Sequence, residues 1–282
     1  MKQFQNDQQN LKIDQQMIEK YTNKIENHAL KIEEELNVFN LEFIQYLDIN
    51  KLELKNCCNL QPKLINNHIK ELIVNNCDDF NLEEFQLENL EVLKCKCQVQ
   101  FANCSLEFKD AFVHSIVKFN KLKELSLNDY FGVDISPLSQ MTQLMKLSLV
   151  QCGLGNVDSL KYLVNLVELN ISQNQNVDIT PLKNLPLTVL NLSSCDFLNV
   201  EILASFIHVQ ELNLFGNEDI DITPIQNLLQ IVKLDLSKCK LGNVSSLKKL
   251  VNLKELNISL NKNIDISQLQ YLPQLLWCPS QL

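Results

Sequence analysis

Apolar residues recur along the chain in a fixed phrase, L-x-x-L-x-L-x-x-(N/C). It begins at Leu122, Leu144, Leu166, Leu187, Val209, Ile231 and Leu253, in steps of 22, 22, 21, 22, 22 and 22 residues. Degenerate copies start at Ile49, Ile69 and Leu90, and a stub follows at Leu275, about eleven units in all. In "LVELNIS" the residues Leu166, Leu169 and Ile171 fall on one side, while Asn170 and Ser172 alternate to the other. That period of two predicts a short strand with an inward apolar face. A second segment follows with apolar positions three apart, such as Leu182 and Leu185, as one helical turn would place them.

The entrance to that second segment holds Ser136, Asp158, Thr180, Glu201, Thr223, Ser245 and Ser267 in one column. All but Glu201 are good helix N-caps, so the column is expected to cap a brief α or 3₁₀ turn. Pro137, Pro181 and Pro224 occupy the next column, which suits the first helical position. Each unit is therefore a strand, a tight turn and a short helical return. One such unit cannot bury its own apolar edge, but stacked units can, so the expected fold is a parallel-sheet solenoid. With strands ~4.8 Å apart, eleven units would give an inner arc of about 50 Å.

These residues resemble the leucine-rich repeat family. Phrases such as "DISPLSQM", "DITPLKNL" and "DITPIQNL" are similar to the 22-residue class of the Sds22-type regulatory subunit of protein phosphatase 1, and internalins and the leucine-rich-repeat dynein light chain share much of that pattern. The resemblance covers roughly 49–282. It implies an α/β fold: a right-handed leucine-rich repeat solenoid with short parallel strands on a concave face and short helices or 3₁₀ turns on the convex face. It implies protein partners, among them a phosphatase catalytic subunit or a cytoskeletal component, and no catalysis of the chain's own.

Within this pattern the expected Asn position alternates: Cys152, Asn174, Cys195, Asn217, Cys239, Asn261. Cys offers one weak donor and should contribute less there than Asn. The larger unit is thus about 44 residues. Cys152–Ser172 and Cys239–Ser259 agree at 17 of 21 positions, as duplication of a two-turn block would leave them.

The ends depart from the repeat. Residues 1–40 read as a polar tail and an amphipathic capping helix, with Leu11, Ile18, Ile25 and Ile32 at a seven-residue step and Tyr21 beside them. The solenoid is expected over 41–282, with a longer unit at about 90–121. There Phe108, Phe112, Ile116 and Phe119 recur at helical spacing, with Ser105 as N-cap, and read as core. The close, "QLLWCPSQL", is a thin cap: either Leu275–Trp277 packs down as a lid or the chain belongs to something longer.

Composition narrows the function. The chain of 282 residues is 45% apolar with net charge −9, and all its cations are Lys. An acidic chain without Arg is a poor fit to nucleic acid. The start, "MKQFQNDQQN", has no apolar segment of the signal-peptide kind, and no apolar run approaches the ~20 residues of a membrane span. Ten Cys in a chain of this kind are expected as reduced, largely buried thiols in the cytoplasm, with the nucleus also open. Cys95, Cys97, Cys104 and His114 are spaced C-x-C-x₆-C-x₉-H, which fits no strong zinc template. No glycine loop fits a phosphate, and no metal or cofactor is expected.

What remains is surface. The outward strand columns are mostly Asn and Ser, with exceptions late in the chain: Glu211, Phe215, Lys233, Asp235, Glu255, Leu260 and Trp277. Aromatic residues flanked by charges are the usual composition of protein-binding hot spots. These seven are the expected partner-binding residues of a non-enzymatic interaction scaffold or regulatory subunit. The alternatives are an Sds22-type phosphatase regulator, a secreted internalin-like adhesin and a fragment of a larger enzyme.

Overall fold

The computed structural model describes residues 15–33, 39–57, 60–61, 66–77, 82, 85–96, 106–196, 199–262, 264–269 and 272. The chain divides into two compact units, residues 1–127 and 128–282.

In the first unit, helix α1 (15–22) precedes strands β1 (Ala29–Glu33), β2 (Phe39–Asn40), β3 (Lys51–Lys55), β4 (Leu60–Gln61), β5 (Glu71–Asn75) and β6 (Val92–Lys96). Helix α2 (Leu106–Ile116) and strand β7 (Glu124–Asn128) close it. Strands β1, β3, β5, β6 and β7 lie side by side in that order. The β1–β3, β3–β5 and β5–β6 pairs are parallel. Inward residues such as Leu30, Ile32, Leu52, Leu54 and Leu72 are buried, and outward residues alternate with them.

Ile32 therefore does not continue a helical seam. It is the second inward residue of β1, while Ile25 lies in the turn between helix and strand. A seven-residue step places apolar residues correctly for a helix only while the chain stays helical, and α1 ends at residue 22. What the helix does bury is Tyr21, whose ring stacks on Phe43 at 5.1 Å between centroids. The long unit contains the expected helix, and Phe112, Ile116 and Phe119 are buried. Ser105 lies outside the described residues.

The second unit carries β8 (Lys146–Ser148), β9 (Glu168–Asn170), β10 (Val189–Asn191), β11 (Glu211–Asn213), β12 (Lys233–Asp235) and β13 (Glu255–Asn257). Each pairs in parallel with the next, and the 22-residue columns are in register: Val189, Glu211, Lys233 and Glu255 are successive partners. At the ends of β9–β13, Asn170, Asn191, Asn213, Asp235 and Asn257 each accept, through Oδ1, the N–H two residues on, which draws that N–H out of the ladder.

The helical returns are 3₁₀ turns, among them Ser136–Gln140, Thr180–Leu182, Thr223–Asn227 and Ser245–Lys249, with Pro137, Pro181 and Pro224 near their starts. The Ser/Thr column does not cap them. The acceptors lie two residues earlier, where Asp134, Asn156, Asp178, Asp221, Asn243 and Asp265 take the N–H of Ser136, Asp158, Thr180, Thr223, Ser245 and Ser267 at 2.8–3.2 Å. A short carboxylate or amide reaches the N–H two residues ahead as an Asx turn, so the residue read as the cap is the one being capped. The hydroxyls and N–H groups of Thr180, Thr223 and Ser267 hold the Asp178, Asp221 and Asp265 carboxyls below their usual range.

The Cys/Asn alternation has a backbone counterpart. Asn174 Oδ1 accepts the N–H of Cys152 and Leu154, and its Nδ2 donates to the carbonyls of Leu149 and Ile171. Asn217 and Asn261 repeat this toward the turns of Cys195 and Cys239. Cysteine turns link back differently: the N–H of Gly132, Asn176 and Asp219 donates to the carbonyl of Cys152, Cys195 and Cys239. Left-handed residues alternate in step. They lie one residue after each Cys (Gly153, Asp196, Lys240) and two after Tyr130, Asn174 and Asn217 (Gly132, Asn176, Asp219). Two turns together are the smallest unit that reproduces itself.

Candidate interaction face

Strand register brings Glu211, Lys233 and Glu255 into one outward column, with all three exposed. Lys233 Nζ lies 3.4 Å from Glu255 Oε2, so two of the three expected contact charges already face each other. Asp235 stands in the next column. It accepts the N–H of Ser237 at 2.9 Å, its hydroxyl at 2.5 Å, and the Asn257 amide at 2.9 Å. Its carboxylate is thus held in a fixed orientation at the strand end.

Phe215 lies just beyond β11 and is half-buried, with its N–H held by Asn213 Oδ1 at 2.9 Å. The column it belongs to is less open than its Ser residues imply. Ser172 and Ser237 are buried, whereas Ser193 and Ser259, which follow the same Asx bend, are half-buried. Leu260 lies beyond β13 with φ +59° and is 72% exposed. It ends a left-handed column that runs Asp129, Gln151, Gln173, Ser194, Gly216, Lys238, Leu260. The left-handed region costs an L-residue about 1 kcal/mol, and here an apolar side chain is set there and shown to solvent. Trp277 lies outside the described residues.

Among the described thiols, Cys57, Cys95, Cys152, Cys195 and Cys239 are buried. The Sγ of Cys195 and Cys239 donates to Ile171 and Leu214 carbonyls at 3.2 and 3.1 Å, and burial pushes both thiols up to about 11. A hydrogen bond with Cys57 raises Cys77. Cys95 lies in β6, and His114 is exposed on α2 with Nδ1 2.8 Å from the Asp110 carbonyl. Cys97 and Cys104 lie outside the described residues, among which no group of three His, Cys, Asp or Glu is placed to hold a metal. No helix among them is long and apolar enough to cross a membrane.

Sequence reasoning missed one surface feature. Where each 3₁₀ turn leads into the next strand, Val164, Pro186, Ile207, Leu229 and Val251 form an exposed apolar column. The signal was present as a column at the repeat period, but the position falls between the strand and helix phrases.

No family model matches the chain, and no curated protein matches it in sequence. Solved structures do. An internalin from Listeria monocytogenes superposes with a TM-score of 0.65 at 23% identity, covering 93% of this chain and 74% of that one. A chain of the mouse RP105/MD-1 complex gives 0.65 at 19%, covering 88% and 46%. Internalin C2 from Listeria monocytogenes is 32% identical over 49% of this chain and 61% of its own, with a TM-score of 0.46. The chain thus spans less than two thirds of internalin C2 and less than half of the RP105 complex chain. The fold is that of a leucine-rich repeat protein: parallel strands laid down in sequence, each returned by a short helical turn.

Proposed function

We propose that the chain is a non-enzymatic protein-interaction scaffold or regulatory subunit that receives a partner protein on the outward face of β8–β13. The observation that carries this reading is the register of the outward columns, which holds one side chain per turn at fixed spacing. Such a face binds over area rather than in a pocket. Glu211, Phe215, Lys233, Asp235, Glu255 and Leu260 would supply the contact, with Phe215 as the anchor, and Trp277 is carried over from the sequence. Buried reduced thiols are what a reducing cytoplasm maintains. Among partners, a phosphatase catalytic subunit is the one that the "DITPLKNL" phrases favour.

Affinity capture with the whole chain and with Phe215→Ala, followed by mass spectrometry, tests the reading. Loss of a partner by a folded Phe215→Ala chain supports it, and an unchanged partner set removes Phe215 from the face. Phosphatase activity in the captured material would identify the regulatory form.

A further inference from the structure

We propose that the strand-entry edge of the second unit is a separate docking site, shaped for an acidic amphipathic helix of a partner protein. Of the large apolar side chains that are exposed among the described residues, Met145, Tyr162, Val164, Ile207, Leu229 and Val251 all lie on this edge. Val164, Ile207, Leu229 and Val251 are 61%, 53%, 51% and 52% exposed. Pro186 fills the same column between them and is also exposed.

The column is built rather than incidental. At 164, 207, 229 and 251 the same tight turn recurs, with each N–H donating to the carbonyl two residues back at 2.9–3.0 Å. Beside it, the amides of Asn165 and Asn252 donate to the Thr142 and Leu229 carbonyls of the preceding turn, which ties successive coils together. The apolar side chains therefore stand in a stiff row, one per turn.

Charge names the occupant. The chain carries net charge −9. Yet segments 139–145, 161–167, 183–188, 204–210, 226–232 and 248–254, which make up this edge, hold Lys161, Lys183, Lys248, Lys249 and Lys254 and no Asp or Glu. All five lysines are exposed. An apolar row with lysines on its turn side complements an apolar stripe with carboxylates on one flank. The spacing fits as well. Coils stack at ~4.8 Å and an α-helix advances about 5.4 Å per turn. A helix laid along the stacking direction thus offers one apolar residue per coil, and the five-residue column matches about 14 helical residues.

A second copy fits less well, since a two-fold pairing of the edge sets Lys161 and Lys183 against Lys248 and Lys249. Glu168, Glu211 and Glu255 in the adjoining strand column place the acidic flank of such a helix on the other side of the row, toward Lys161, Lys183, Lys248 and Lys249.

The test is fluorescence anisotropy of a labelled 18-residue helical peptide, with leucines on one stripe and glutamates on one flank, titrated with the full chain. Binding is expected, weakened about tenfold by Ile207→Gln/Leu229→Gln. The Lys161→Glu/Lys183→Glu/Lys248→Glu variant should weaken it similarly, while Phe215→Ala leaves it unchanged, which separates this site from the strand face. Circular dichroism confirms that the variants fold. Absence of binding, or equal binding by the edge variants, overturns the proposal. Edge-dependent binding to vesicles containing phosphatidylserine without peptide binding would assign the edge to membranes instead. A dimer in sedimentation equilibrium that Ile207→Gln/Leu229→Gln abolishes would assign it to a second copy.

Discussion

Asn217 accepts from the N–H groups of Cys195 and Asp196 and donates to the carbonyls of Leu192 and Leu214, all from a site 3% exposed. Replacing it with Ala removes a partner from four backbone groups; the Leu214 carbonyl keeps the Asn217 N–H and the Cys239 thiol, and the others lose the bond from a buried site. Cys239 offers one weak donor, to the Leu214 and Ser237 carbonyls. Asn217→Ala should therefore cost about 3 kcal/mol and Cys239→Ala about 1 kcal/mol, read as a fall in the urea midpoint. The thiols give a second test. Cys195 and Cys239 lie near 11 when folded, against an ordinary value of about 9. Their contribution to stability is complete below pH 9 and is lost as pH rises toward 11. Native protein at pH 8 should resist alkylation at both positions, with labelling appearing only on unfolding or above pH 10. Rapid labelling at pH 8 would contradict their burial.

At the level of the repeat element, the Asx residues decide where each 3₁₀ turn begins. Asn243→Ala removes the acceptor of the Ser245 N–H and should cost about 1 kcal/mol, whereas Ser245→Ala should be nearly silent. The reverse ranking in thermal or urea unfolding would restore the cap to the Ser/Thr column. The Asp178 carboxyl sits below its usual range, so its stabilisation is present above the ordinary carboxylate range and is lost as pH falls through the lowered value. Asp178→Asn keeps the acceptor and should flatten that acid limb. The contrast shows what the sequence makes legible. Inward columns such as Leu166, Leu169 and Ile171 announce themselves because burial demands apolar residues at period two. A capping column is ambiguous, since Ser or Thr at one position and Asp or Asn two residues earlier both read as helix starts. Ile32 misled for a related reason: a single apolar residue satisfies either period, and only the end of α1 decides which applies. For the candidate face, register was readable from the columns. The Lys233–Glu255 pair and the burial of Ser172 and Ser237 were not, because they depend on side-chain reach and on packing between neighbouring coils.

Across the second unit, a stack whose units repeat every two turns has two kinds of surface. The strand face carries Phe215 and an ordered set of charges; the entry edge carries lysines and an apolar row. Repetition keeps both regular, so substitution of a few residues per turn should change recognition without changing the fold. The central claim is that the strand face reads a partner protein, and the Lys233–Glu255 pair allows a clean test. The double variant Lys233→Glu/Glu255→Lys keeps those two charges facing one another and sets a like charge at position 233 beside exposed Glu211, a surface cost of about 0.5 kcal/mol that the fold should tolerate. It reverses the charge pattern offered to a partner. Quantitative affinity capture with the wild-type and swapped chains should show at least one partner retained by the first and lost by the second, at similar thermal stability. Identical partner sets at identical abundance would contradict docking on this face.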